Sequence, residues 1–206
     1  MTDKGRSTRG YFDRMAKRWD DFGDADALRK RLESLVAMFD IPNGGIVLDV
    51  GTGTGILHPW LLDAVGASGR VLAFDFSSCM LEKALMKRSS QNLVCFQADV
   101  TAIPLPGQTC DRVVCFAAFP HFYNKSQALQ EMTRVTKNGG RILIAHLMSR
   151  RQIASHHANP EVAGHRLPSD WEMERLFSEA GLENISIQDK PGLYFAQGIR
   201  VSACDF

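Results

Sequence analysis

The stretch Ile46-Val47-Leu48-Asp49-Val50-Gly51-Thr52-Gly53-Thr54-Gly55-Ile56-Leu57 constrains the fold of this chain more than any other. An apolar run ends in an acidic residue, breaks into alternating glycines, and resumes as Ile56-Leu57 and Trp60-Leu61-Leu62 at helical spacing. The pattern predicts a strand, a tight turn and a helix start, the layout of a nucleotide cradle at the carboxyl edge of a parallel sheet. Glycine belongs where the backbone takes a positive φ, or where a ligand comes too close for a Cβ. A nucleoside-bearing ligand is expected there.

The rest of the chain supplies the sheet. Arg70-Val71-Leu72-Ala73-Phe74-Asp75, Leu93-Val94-Cys95-Phe96, Arg112-Val113-Val114-Cys115-Phe116 and Arg141-Ile142-Leu143-Ile144-Ala145 read as four further strands. Helices separate them: one to about Val65, one over Ser77–Lys87, and one carrying Leu129, Met132 and Val135, which Asn138-Gly139-Gly140 is expected to close. Such alternation argues for a parallel sheet covered on both faces. Upstream, Leu28, Leu32, Leu35, Val36 and Phe39 fall on one helical face, and Tyr11, Phe12, Met15 and Trp19 form an aromatic stripe before it. Downstream, Ser169-Asp170-Trp171-Glu172 is a capping box opening a helix that Gly181 ends. Ile185–Ile187 and Tyr194–Val201 then read as strands joined only by Lys190-Pro191-Gly192, too short for a crossover, so they must be antiparallel neighbours.

Composition excludes several classes of partner. With 206 residues, 45% hydrophobic and 23% charged, the chain suits one globular domain. A net charge of +1 offers nothing to attract nucleic acid or an anionic membrane. The five cysteines include no C-x-x-C pair, so reduced thiols and a cytoplasmic location are expected.

The glycine spacing is Gly-x-Gly-x-Gly, whereas the dinucleotide fingerprint is Gly-x-Gly-x-x-Gly. A cofactor without phosphate asks for carboxylates facing sugar hydroxyls. Asp75, ending the second strand, can accept both ribose hydroxyls, and Asp99 in Gln97-Ala98-Asp99-Val100 can accept from an exocyclic amine. A nicotinamide-dependent oxidoreductase is disfavoured on both counts.

Taken in order, these blocks resemble the class I S-adenosylmethionine-dependent methyltransferases, in the small-molecule branch of the ubiquinone/menaquinone methyltransferases. The matching residues are Val47 to Gly55, Ala73-Phe74-Asp75-Phe76-Ser77 with Met80-Leu81, Gln97-Ala98-Asp99-Val100 with Ile103-Pro104-Leu105, Asp111-Arg112-Val113-Val114, and Leu129 to Val135 with Gly139-Gly140-Arg141. The likeness covers roughly residues 11–147. It implies a three-layer α/β/α Rossmann-like fold with a seven-stranded sheet, mostly parallel, whose strand 7 is antiparallel. It implies S-adenosylmethionine as cofactor, with contacts from Asp49, Gly51, Gly53, Asp75, Phe76, Met80, Asp99 and Val100. Thr52 and Gly55 of the same turn, and Phe116 ending the fourth strand, complete the candidate cofactor site. The expected layout is a single domain: a helical lid (1–40), the cofactor core (41–147), an acceptor-side insert (148–168), and a C-terminal helix with antiparallel strands (169–206).

The acceptor is expected beyond the fourth strand, at Phe116-Ala117-Ala118-Phe119-Pro120-His121-Phe122-Tyr123. His121 there, and His157 in the insert, are the candidates for orienting a small-molecule acceptor or taking its proton. The chemistry requires no metal. An alternative reading makes the chain a metal-binding protein on the same scaffold, using His121, His157 and His165. Adjacent His156 and His157 would point apart if extended, so both on one ion is not expected. Neither the acceptor nor the choice between monomer and homodimer is readable.

Overall fold

The computed structural model describes residues 3–20, 24–87, 90–156 and 165–201. His157 and Cys204 lie outside these residues, as does the middle of the acceptor-side insert, 157–164.

Seven strands form one sheet: β1 (Ile46–Val50), β2 (Arg70–Asp75), β3 (Leu93–Gln97), β4 (Cys110–Phe116), β5 (Thr136–His146), β6 (Leu182–Lys190) and β7 (Leu193–Arg200). Their order is β3-β2-β1-β4-β5-β7-β6, and β7 runs antiparallel to both of its neighbours. This is the expected sheet. The short Lys190-Pro191-Gly192 link forces the β6–β7 hairpin, which leaves β6 parallel to the rest.

Alternation along each strand feeds two cores. Val47, Val71, Val114, Leu143 and Phe195 face α2 (Ala25–Ala37) and α3 (His58–Val65), meeting Leu32, Leu35, Phe39, Leu61 and Val65. Leu48, Val113, Cys115, Ile142 and Ile144 face the other way, toward α5 (Lys125–Val135) and α7 (Asp170–Glu179), where Leu129, Met132, Met173 and Phe177 wait. Burial on both faces explains why these strands read as nearly unbroken apolar runs. A third cluster joins α1 (Asp3–Met15) to α4 (Ser78–Lys87) through Phe12, Ala16 and Met80.

Caps set several boundaries. The Asp24 side chain accepts from the Ala27 N–H at the start of α2, and Asn124 accepts from the Gln127 N–H at the start of α5. The Ser169–Glu172 capping box opens α7 as predicted. One expected boundary is wrong. Asn138-Gly139-Gly140 does not close α5, which ends at Val135, and β5 already begins at Thr136. The buried Thr136 is extended, and its hydroxyl donates to the Met132 carbonyl at 2.7 Å, ending the helix early. The glycines instead fall in a register shift against β4, with Gly139 at φ 75°. The insert also opens with a helix, α6 (Arg150–His156), which the sequence did not announce because Ile153 is its one buried residue among those described.

The described cysteines, Cys79, Cys95, Cys110 and Cys115, are all unbonded. Among the described residues no helix is long and apolar enough to cross a membrane.

Candidate active site

The strand order reverses between β1 and β4, and there the carboxyl ends diverge into a crevice. A cavity of about 650 Å³ occupies it. Its floor is the glycine turn after β1. Gly51, Gly53 and Gly55 hold φ values of 68°, 55° and 74°, which side chains rarely adopt. At Gly51 a Cβ would also stand 2.6 Å from the Cβ of Ala118, so this turn can pass under the β4 loop only as glycine. The Thr52 N–H donates to the Phe74 carbonyl at 2.9 Å and pins the turn to β2.

Two acids reach the cavity from adjacent strand ends. Asp75 is 6% exposed, accepting from the Gly53 N–H through one oxygen and the Ser77 N–H through the other, both at 2.9 Å. Burial raises its pKa above the usual carboxylate value, against the lowering effect of those backbone donors. The carboxylate keeps lone-pair capacity for a ligand hydroxyl. Asp99 follows β3, and one of its oxygens accepts the Thr101 N–H and hydroxyl at 2.9 and 2.7 Å. Phe76, Ala98 and Val100 line the same end.

The opposite end is built from β4, β5 and the N-terminal segment. Phe116 ends β4, with Ala117, His121 and Phe122 after it, and His146 ends β5, with Leu147 and Met148 after it. Ala117 sits at φ 56°, a strained conformation for alanine, with its N–H donating to the Ala145 carbonyl at 2.9 Å. The His121 ring meets Phe12 edge-on at 5.0 Å, and its Nδ1 lies 2.9 Å from Nδ1 of His165. Phe12 and Trp19 close the cavity from the N-terminal side. That segment is tied down by polar contacts: the Ser77 hydroxyl donates to Asp13 at 2.5 Å, and the Thr54 hydroxyl to Asp20 at 2.6 Å. Lys87 pairs with the second Asp20 oxygen at 2.6 Å.

Of the residues proposed from sequence, Gly51, Thr52, Asp75, Phe76, Asp99, Val100, Phe116 and His121 therefore share one cavity. Asp49, Gly53, Gly55 and Met80 do not line it: Asp49 ends beneath the turn against the Thr52 hydroxyl, Gly53 and Gly55 belong to the turn, and Met80 packs with Phe12 and Ala16 from α4. His165 meets His121 but not the cavity, and His157 lies outside the described residues. Among the described residues no three His, Cys, Asp or Glu side chains cluster as metal ligands.

Beneath the turn lies an arrangement that the spacing did not reveal. Asp49 and His58 are 2% and 1% exposed, and the Thr52 hydroxyl stands between them, donating to Asp49 at 2.6 Å and lying 2.8 Å from His58 Nε2. Burial raises Asp49 to about 7, opposed by the Thr52 hydrogen bond and reinforced by the charge of Asp75. Burial also lowers His58 to about 4, with the charge of Lys87 adding to the effect.

The lining favours one kind of ligand. Asp75 and Asp99 face in, and among the described residues no Lys or Arg lines the cavity. A pyrophosphate would meet carboxylates without a compensating cation, whereas a cationic nucleoside with free ribose hydroxyls would be complemented. The close-packed glycine floor, the buried Asp75 and this charge pattern fit S-adenosylmethionine.

Comparison with known proteins agrees. Residues 48–144 match the family model described as a methyltransferase domain. The chain is 31% identical over 153 residues to a ubiquinone/menaquinone biosynthesis C-methyltransferase of Hahella chejuensis, covering 70% of this chain and 61% of that protein. It is 27% identical over 147 residues to a demethylmenaquinone methyltransferase of Bacillus licheniformis, covering 69% and 63%. The chain thus spans about three fifths of the length of these relatives. A solved SAM-dependent methyltransferase from Aquifex aeolicus superposes with a TM-score of 0.73 at 25% identity, over 92% of this chain and 98% of that one. A structure of the Haloferax volcanii Trm112 methyltransferase activator with a putative methyltransferase matches at TM-score 0.79 and 21% identity, over 93% and 98%, a likeness of fold.

Proposed function

Because this chain belongs to the class I S-adenosylmethionine-dependent methyltransferases, we propose that it moves a methyl group from S-adenosylmethionine to an uncharged, largely apolar small molecule. The observation that carries this reading is one cavity that joins an acidic, glycine-floored end to an aromatic, histidine-bearing end, with no Lys or Arg in its lining among the described residues.

When bound, S-adenosylmethionine supplies a methyl group already activated by its sulfonium, so the protein's task is alignment and exclusion of water. Asp75 and Asp99 would hold the nucleoside, while Gly51 and Thr52 bring backbone against it. Phe116, Phe122, Leu147 and Met148 offer an apolar bed to the acceptor. His121, fixed by Phe12 and His165, orients the acceptor or accepts its proton if it arrives as a phenol, thiol or carbon acid. His157 is a second candidate for that role. Phe12 and Trp19 act as a lid over the loaded site, and the site works inside the cytoplasm as a monomer or homodimer. The quinone-type acceptors of the relatives are not transferred to this chain, since its histidine-rich insert follows the region of resemblance.

Mass spectrometry of co-purified ligands, followed by a panel of small phenols, quinols, thiols and heterocycles with methyl-labelled donor, tests the reading. Label transfer that is lost in His121→Ala supports it. Label transfer that survives His121→Ala unchanged removes His121 from the acceptor site, and failure of the donor to bind overturns the reading as a whole.

A further inference from the structure

We propose that Asp49, Thr52 and His58 form one proton-holding unit that positions Thr52 under the glycine turn, and that loading the cofactor expels its proton. This rests on the methyltransferase reading above and adds to it a linkage between cofactor and solvent pH.

The geometry requires the three groups to act together. The Thr52 hydroxyl has one hydrogen and two partners, Asp49 and His58 Nε2. If Asp49 is ionised, Thr52 donates to it and must accept from His58, whose proton then sits on Nε2. If Asp49 is protonated, it donates to Thr52, which still accepts from His58 Nε2 and turns its own hydrogen toward the cavity that it lines. His58 keeps one tautomer in both states, which differ by the Asp49 proton and by the rotation of the Thr52 hydroxyl. His58 Nδ1 has no hydrogen-bond partner and packs under Gly55, where a Cβ would stand 2.5 Å away. The unit is therefore sealed on its inner side and communicates with the cavity through Thr52 alone, which is both a member of the chain and part of the lining.

The electrostatic surroundings set the direction of the response. Asp49 is faced by Asp75 from β2, by neutral His58 from α3, and by the half-buried thiol of Cys95 from β3 and the buried thiol of Cys115 from β4. Lys87 of α4 is the cation acting on His58, and its ammonium is already paired with Asp20. Two buried acids thus share one region with no cation committed to either, which favours keeping a proton on Asp49. Asp75 is the better anion of the two, because both of its oxygens accept backbone N–H groups. A ligand ammonium seated against Thr52, the cation that S-adenosylmethionine and S-adenosylhomocysteine share, changes this balance. It favours the Asp49 carboxylate, the Asp49 O–H bond breaks, and the proton passes to solvent buffer while Thr52 turns its hydroxyl toward Asp49. Affinity should then rise with pH up to neutrality and level off above it.

Titration calorimetry with S-adenosylhomocysteine, in buffers of different ionisation enthalpy, reads this directly. At about pH 6.5 binding should release close to one proton, falling toward none by about pH 8.5, and Kd should tighten by up to about tenfold per pH unit below neutrality. Asp49→Asn should bind with no proton release and a flat pH profile. His58→Gln, which keeps a donor toward Thr52, should hold affinity better than His58→Leu, with circular dichroism melts confirming that each variant folds. Binding without proton release in the wild type, or with release unchanged in Asp49→Asn, overturns the proposal. Failure of S-adenosylhomocysteine to bind at any pH overturns the methyltransferase reading, and this inference with it.

Discussion

Gly51 and Ala118 pack so closely that a Cβ at position 51 would lie 2.6 Å from the Ala118 Cβ. That contact closes the β1 turn against the β4 loop and shapes the cavity between them. Gly51→Ala adds a clash to a backbone held at φ 68°. The substitution should lower stability by about 2 kcal/mol and weaken S-adenosylhomocysteine at least tenfold, as read by thermal melts and calorimetry.

Much of this was legible because parallel strands buried on both faces leave apolar runs bounded by polar residues and glycines. Asp75 could be placed because it ends such a run, and Asp99 because it comes two residues past the end of β3, both at the edge where the crevice opens. What escaped was set by tertiary contact. Thr136 ended α5 ahead of the glycines through one hydroxyl bond, a choice that no periodicity encodes. Ala117 carries no signal for its positive φ. His58 reads as an ordinary first residue of a helix until the turn folds Thr52 onto it, and His121 and His165 are 44 residues apart in sequence.

Asp49 makes a stability prediction with a definite sign. Its pKa is raised from 3.8 to about 7, so the folded protein holds a proton that the unfolded chain gives up. That contribution is fully present below pH 3.8 and is lost as pH rises through about 7. His58, lowered from 6.5 to about 4, runs the other way: its contribution is lost as pH falls from 6.5 toward 4. Asp49→Asn isolates the first effect. The ligand-free variant should exceed the wild type by roughly 2 kcal/mol at alkaline pH and by much less in mild acid, measured by urea unfolding.

The aromatic closure should govern how long the cofactor stays. Phe12 is 7% exposed and touches Tyr11, Trp19, Phe76 and His121. Phe12→Ala should accelerate S-adenosylhomocysteine dissociation by about tenfold or more in stopped-flow fluorescence, with a smaller change in association. An unchanged off-rate would remove the lid from the account.

Breaking the His121–His165 contact should separate the two ends of the cavity. His165→Ala leaves the acidic end intact, so S-adenosylhomocysteine affinity should stay within about twofold, while methyl transfer to an acceptor found in the labelled panel should fall roughly tenfold or more. Equal losses in both measurements would show that the pair supports the fold as a whole.

The most direct test of the central claim uses Asp75, the buried acid at the end of β2. Calorimetry should find one S-adenosylhomocysteine bound per wild-type chain and a loss of affinity of at least about fiftyfold in a folded Asp75→Ala variant. Equal affinity in the two proteins, or no binding by the wild type, would contradict the account.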